Sequence, residues 1–347
     1  MRAAVIREHG SYQQIQYEER PSPKPAELQY LIRVKACGLN HLDTWVRRGV
    51  PGHKFPLPLV PGSDITGIIE AVGPLAKRFK VGDRVIVNPS LFCGSCNFCQ
   101  SGQDHLCQKW GLMGETADGG CQEQIVVDES RVYALPTQVT FEQGACLPIA
   151  YVTAWEMLVG KAHAHQGETI LIHAAGSGVS VAAIQIAKLL GLQIIVTSSS
   201  EAKLQRAKSL GAHRFIDLSK EGFREAVKNL TGKAGVDIVV DHVGEATFMD
   251  SIRSLRKGGR LVSCGATSGA NLQIDWKHVF FKNLSLIGST YGPRSAFIDV
   301  LKRFETKQIV PVLDSFIKFE ELAKGHEALE TRQVFGKVVM NFERTGT

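Results

Sequence analysis

The chain has 347 residues, 44% of them hydrophobic, and a formal net charge of +6. That length suggests two domains with room for large cores, and no run of 18 apolar residues offers a transmembrane helix, so no membrane partner is expected. Lysine and arginine never gather into a basic tract beyond pairs such as Arg47-Arg48, which argues against nucleic acid as a partner, and four of the eight cysteines crowd into fifteen residues, which is not disulfide spacing.

Residues 1–135 read as mostly β. The stretch Met1 to Arg7 looks like a first strand and not a signal peptide, so a cytoplasmic protein is expected. Leu28 to Ala36 alternates like a half-buried strand. Turn signals recur at Pro21-Ser-Pro23, Pro61-Gly62, Val72-Gly-Pro74, Val81-Gly-Asp83 and Asp118-Gly-Gly120. Short strands closed by Gly and Pro predict a barrel-like β domain. Within it, Cys93, Cys96, Cys99 and Cys107 form C-x2-C-x2-C-x7-C, with Gly94 and Gly102 easing the turns. Four thiolates at this density close a tetrahedral zinc site and leave no position for water or substrate, so the metal expected here is structural. His105, inside the loop, reads as a surface residue.

Next, Thr140 is placed to cap a short helix before Pro148, and residues 150–158 read as an apolar helix. The chain then turns to a different pattern. Glu168 to His173 is a short apolar run, Ala174-Ala-Gly-Ser-Gly178 a tight turn, Val179 to Leu190 a helix with one apolar face, and Gln193 to Thr197 a second apolar run. Strand, glycine turn, helix, strand is half of a dinucleotide-binding unit. Glycines admit backbone N–H groups to a pyrophosphate, and the helix N-terminus adds partial positive charge. The fingerprint G-x-G-x-x-G is substituted here, reading Ala175, Gly176, Ser177, Gly178, Val179, Ser180. Further apolar runs at 236–240, 260–264 and 284–288, separated by helical segments near 201–210, 221–231 and 246–256, predict a doubly wound parallel sheet. The tail holds a helix over 295–306, strands at 310–313 and 315–319, a helix over 320–331 and a last strand at 337–342. It is too short to stand alone and is expected to complete the β domain.

These parts together resemble the medium-chain dehydrogenase/reductase superfamily, which includes zinc alcohol dehydrogenases and zinc-free quinone oxidoreductases. The carriers are Gly62 to Gly67, the cysteine lobe, His173 to Lys188 and Phe335 to Val339. The resemblance implies an α/β fold: a GroES-like catalytic domain (1–150 and 289–347, zinc lobe at about 91–110) and a Rossmann NADP-binding domain (151–288). It also implies a homodimer or homotetramer. In the zinc alcohol dehydrogenases three side chains hold a catalytic zinc; those positions fall on Asn40, Ser63 and near Ile149, none of them an ordinary zinc ligand. Cys37, His41 and Asp64 lie close enough in sequence to be weighed as a substitute set. Gly38-Leu-Asn40-His-Leu-Asp43 instead looks like the zinc-free pattern, in which the asparagine sits beside the nicotinamide.

A site without zinc must choose an easier electrophile. Quinones and α,β-unsaturated carbonyls spread the charge that hydride addition leaves, so a few hydrogen-bond donors stabilise it. Asn40, Tyr151 and His41 are the candidate donors and proton sources. The cofactor expected is NADP(H). NAD sites place Asp or Glu after the second strand, and here that position is Ser198, followed by Ser199, Ser200 and Lys203. These serines also suit a helix cap. By the same resemblance Thr153, Gly244, Gly265, Ala266 and Ser289 line the nicotinamide half, and Lys337 reaches the cofactor. The expected activity is reduction of a small-molecule quinone, enone or related carbonyl. The alternatives are an alcohol dehydrogenase or carbonyl reductase, and a non-catalytic NADPH-binding redox sensor.

Overall fold

The computed structural model describes residues 1–342. It divides into two compact units, Met1–Ile149 with Pro293–Thr347, and Ala150–Gly292. The first begins with β1 (Arg2–Ile6), β2 (Ile15–Glu19), β3 (Gln29–Gly38), β4 (Asp64–Val72), β5 (Arg84–Val87), β6 (Ser90–Leu91), β7 (Gly111–Leu112), β8 (Gln124–Asp128) and β9 (Val132–Ala134). The second carries β10 (Thr169–Ile172), β11 (Gln193–Ser198), β12 (Arg214–Asp217), β13 (Val236–Val240), β14 (Leu255–Ser263) and β15 (Ser285–Gly288). The chain returns to the first with β16 (Leu313–Lys318) and β17 (Lys337–Asn341).

In the first unit a seven-stranded sheet runs β16-β17-β3-β4-β5-β9, with β8 also pairing β3. The inward residues Ile32, Val34, Ile65, Val85, Val87, Val127 and Val338 are all at most 1% exposed and form one core. The returning strand matters most for chemistry. β17 lies antiparallel to β3 with Met340 opposite Cys37 and Val339 opposite Gly38. That register brings Lys337 beside the segment that follows β3, and the Leu39 amide donates to Val338 O at 2.9 Å.

The second unit is a six-stranded parallel sheet in the order β12-β11-β10-β13-β14-β15. Its strands are apolar without alternation because helices cover both faces: Ile170, Leu171 and Ile172 are all 0% exposed. Each such side chain contributes roughly 1.5–3 kcal/mol by burial. The chain winds outward from β10 to β12 and then crosses back to β13. The carboxyl ends of β10 and β13 therefore flank the topological switch, where ligands bind in sheets of this kind.

Three features depart from the sequence reading. His41–Arg48 is a helix, an element the sequence reading did not assign. Asp43 reaches back to the Asn40 amide at 2.7 Å, and Gly49 with φ 79 ends the helix. Residues 310–312 are not strand; only Leu313 of that run enters β16. The return to the first unit comes at Pro293 and not at 289, because the Ser289 amide still bonds Ser263 O at 2.8 Å and extends the second sheet.

Candidate active site

The first unit holds a buried polar cluster around Asn40 and Ser63, positions that the resemblance matches to catalytic-zinc ligands. Lys337 Nζ donates to Leu39 O at 2.6 Å, to Asn40 Oδ1 at 2.6 Å and to Asp64 Oδ2 at 2.7 Å. Asn40 Nδ2 donates to the same Asp64 oxygen at 3.0 Å and more weakly to Gly38 O at 3.4 Å. The other oxygen, Asp64 Oδ1, accepts the Ile149 amide at 2.7 Å. Thus two of the three ligand-equivalent positions, Asn40 and Ile149, are tied through one carboxylate to one ammonium. The third, Ser63, is fully buried, and its Oγ meets no partner among the described residues.

A second carboxylate supports this cluster. Asp43 accepts the Asn40 amide and, at 2.9 Å, the Gly62 amide. Burial lifts its carboxyl to about 6, against the pull of the Asn40 amide, the Lys337 charge and the Gly62 amide. His41, the first residue of the helix, has its pKa lowered by burial and by the Arg332 and Arg48 charges. A lowered imidazole is a weaker proton store at neutral pH than its ordinary value implies. Cys37, His41 and Asp64 do not converge as a ligand set. Among the described residues, the ligand atoms that come together are those of Cys93, Cys96, Cys99 and Cys107, all within 4.8 Å of one another.

That spacing fits a tetrahedral ion with Zn–S bonds of about 2.3 Å. The Cys96 amide donates to Cys93 Sγ, and the Cys93 and Lys109 amides to Cys107 Sγ, each at 3.3 Å. Amide bonds from Ser95 and Cys96 hold the Cys93 thiol down to about 5, toward the thiolate a metal needs. His105 is 8% exposed and not at the surface: the 3-10 turn Asp104–Leu106 points it inward and leaves Leu106 outside at 41%.

In the second unit, β10 ends at a turn in which Ala174 has φ 52, a conformation that strains a residue with a Cβ. The Ala175 amide bonds Thr197 O and the Ser177 amide bonds Ala174 O. Ser177 then caps the helix Gly178–Leu189 by accepting the Ser180 amide at 3.2 Å. The amides of Gly178 and Val179, first in the helix, have no intrahelical acceptor and point from its positive end. This donor set fits a pyrophosphate. At the end of β11, Ser198 Oγ accepts the Ser200 amide at 3.1 Å, Ser200 caps the helix Glu201–Leu210, and Ser199 is exposed. The serines therefore do cap the helix, and no carboxylate ends the strand.

Gly244, with φ 92, lies against Ala266, where a Cβ would meet Ala266 Cα at 3.0 Å; its amide bonds Asp241 Oδ1 at 3.1 Å. Gly265 follows β14, and Thr153 Oγ1 donates to Thr290 O at 3.4 Å. Ser289 is 9% exposed and its Oγ meets no partner among the described residues, a buried hydroxyl that suits a bound cofactor. Two residues sit elsewhere than expected. Lys337 spends its three hydrogens inside the first unit, as above. Tyr151 is 1% exposed and its hydroxyl accepts Gln185 Nε2 at 2.8 Å, so it ties two helices together inside the second unit. His242, which sequence reasoning missed, lies at the switch point, with Nε2 2.9 Å from Ser180 Oγ.

Residues 26–137 match the alcohol dehydrogenase GroES-like domain and residues 178–306 the zinc-binding dehydrogenase family. The chain is 31% identical over 311 residues to a quinone oxidoreductase of Homo sapiens, covering 88% of this chain and 86% of that one. It is 30% identical over 345 residues to an alcohol dehydrogenase of Geobacillus stearothermophilus, covering 99% and 100%. A solved NAD-dependent alcohol dehydrogenase superposes with a TM-score of 0.95 at 42% identity, covering 99% and 100%.

Proposed function

This chain belongs to the medium-chain dehydrogenase/reductase superfamily and is an oxidoreductase, and we propose that it reduces quinones, enones or related conjugated carbonyls with NADPH. The observation that carries this reading is the Lys337 ammonium seated against Asn40 and Asp64, a cation supplied by the chain itself where other members use a metal. When bound, the nicotinamide supplies a hydride. Lys337 pulls on Asn40 Oδ1 and so polarises its amide. The long contact from Asn40 Nδ2 to Gly38 O is exchangeable for an acceptor oxygen, and the Ser63 hydroxyl is a second donor nearby in sequence. A delocalised enolate or hydroquinone anion needs no more than such donors, whereas a localised alkoxide does. The proton that completes the reaction comes from water or His41.

The four cysteines are assigned one structural zinc. Preference for NADPH is supported by Ser198 to Ser200 and Lys203, with no acidic residue closing β11. A homodimer or homotetramer is supported by β15, an edge strand of its sheet among the described residues, close to a helix with Trp276, Phe280 and Phe281 each more than half exposed. The 42% identical alcohol dehydrogenase favours a second reading, oxidation of an alcohol with NAD. Metal analysis with a turnover screen separates the two. One zinc per chain with NADPH consumed by a quinone or a 2-enal supports the first. Two zincs per chain with alcohol-dependent NAD reduction refutes it and supports the second.

A further inference from the structure

The geometry points to Ser177 as a hydroxyl donor to the cofactor pyrophosphate, with His242 as the residue that positions it. The inference rests on the cofactor reading above and deepens it. In the fingerprint order, Ser177 takes the place of the glycine that lets backbone approach the pyrophosphate, and Ser180 that of the glycine that lets helix pack on strand. Both substitutions need a structural answer.

Counting hydrogens supplies it. Ser180 Oγ donates its single hydrogen to His173 O at 2.6 Å. Toward His242 Nε2, 2.9 Å away, it can therefore only accept, which assigns the hydrogen of His242 to Nε2 from the hydrogen-bond network. The same Nε2 is 3.2 Å from Ser177 Oγ. Ser177 Oγ thus accepts, as helix cap, from the Ser180 amide and shares with Ser180 Oγ the one Nε2 hydrogen of His242, as the longer arm of a bifurcated bond. Both its lone pairs face donors, so the group it has left to offer is its own hydrogen. The acceptor inside reach for that hydrogen is Ser180 Oγ at 3.2 Å, which already accepts from His242. An anionic phosphate oxygen at the helix N-terminus is a far stronger acceptor. Ser177 is partly exposed there, whereas His242 is 8% and Ser180 0% exposed, so the imidazole stands behind the hydroxyl.

Calorimetric titration of the whole protein with NADPH and with NADH, alongside the thermal midpoint of each unliganded variant, tests this. Ser177→Ala is expected to weaken both dinucleotides about tenfold and equally, because the pyrophosphate is common to both. Ser177→Gly, which readmits the backbone, recovers part of the loss. His242→Leu loses about as much as Ser177→Ala, His242→Gln, which keeps a donor, stays within about threefold of wild type, and the double variant Ser177→Ala with His242→Leu is no weaker than Ser177→Ala. Unchanged affinity in Ser177→Ala, or equal losses in His242→Leu and His242→Gln, overturns the inference. Should His242→Leu unfold, the Ser177→Ala and His242→Gln titrations decide it. A wild-type protein that binds neither dinucleotide overturns the cofactor reading itself.

Discussion

Replacing Lys337 by Met removes the one cation paired with the fully buried Asp64 carboxylate among the described residues. Asp64 is 0% and Lys337 3% exposed, and the Nζ to Oδ2 distance is 2.7 Å. Breaking such a pair from one side typically costs about 3–5 kcal/mol, because the remaining charge is left in a low-dielectric interior. For a unit of roughly 200 residues this lowers the thermal midpoint by about 10 °C. Asp64→Asn alone strands the ammonium and is expected to cost a similar amount. The double variant, Lys337→Met with Asp64→Asn, leaves neither charge unpaired, so most of the loss returns. A double-mutant cycle on midpoints then yields a coupling of a few kcal/mol. Activity separates from stability in the same set. If Lys337 polarises Asn40 toward the acceptor, the double variant regains stability yet keeps kcat about 100-fold below wild type, the scale of a lost transition-state donor. Thermal melts and NADPH-consumption kinetics with an enone read both. A single Lys337→Met variant as stable as wild type would refute the pairing argument, and a stable double variant with full kcat would refute the electrostatic one.

Three further outcomes follow from other residues. Cys96→Ser is expected to lose the one zinc per chain, read by elemental analysis, while affinity for NADPH stays within about twofold, since the cysteine lobe belongs to the other unit. Asp43 has its folded pKa raised to about 6, above an unfolded value near 3.9, so its contribution to stability is complete below the unfolded value and is lost as pH rises through about 6. The loss is on the order of 2–3 kcal/mol, and Asp43→Asn should flatten that part of the pH profile of urea midpoints; a wild type whose stability rises more steeply than the variant's between pH 4 and 6 contradicts this. Ser198→Asp with Lys203→Ala should shift the NADPH-to-NADH affinity ratio at least tenfold toward NADH in titrations, through loss of a cation and gain of repulsion at the 2′-phosphate.

Local chemistry was legible in the chain. Four cysteines within one loop need only that loop to meet, and strand–turn–helix at 168–190 needs only neighbours. The Thr140 cap is likewise a short-range event, and the helix Phe141–Gly144 follows it with a capping box. What could not be read was contact across the chain. Asn40 and Lys337 meet at a separation of 297 residues because β17 pairs with β3, and nothing near either residue announces that register. Arg47 reads only as half of a short basic pair, yet it is 1% exposed, with Nε on His326 Nδ1 at 3.3 Å and its far end on Glu330, partners from a distant helix. His242 left a faint signal that went unused: a serine where close packing wants glycine needs an acceptor and a donor, and a histidine after a parallel strand can supply one.

Because β17 brings Lys337, assembly has an obligatory order during synthesis. The second unit is one continuous stretch and can fold as soon as it leaves the ribosome. The first cannot, for until residues near 337–341 emerge, β3 has β4 on one side but no neighbour on the other along Ala36 to Gly38, and Asp64 lacks the Lys337 ammonium. A nascent chain cut short by even a dozen residues would therefore carry a bare sheet edge open to pairing with another chain and an uncompensated interior charge that opposes closure of the core.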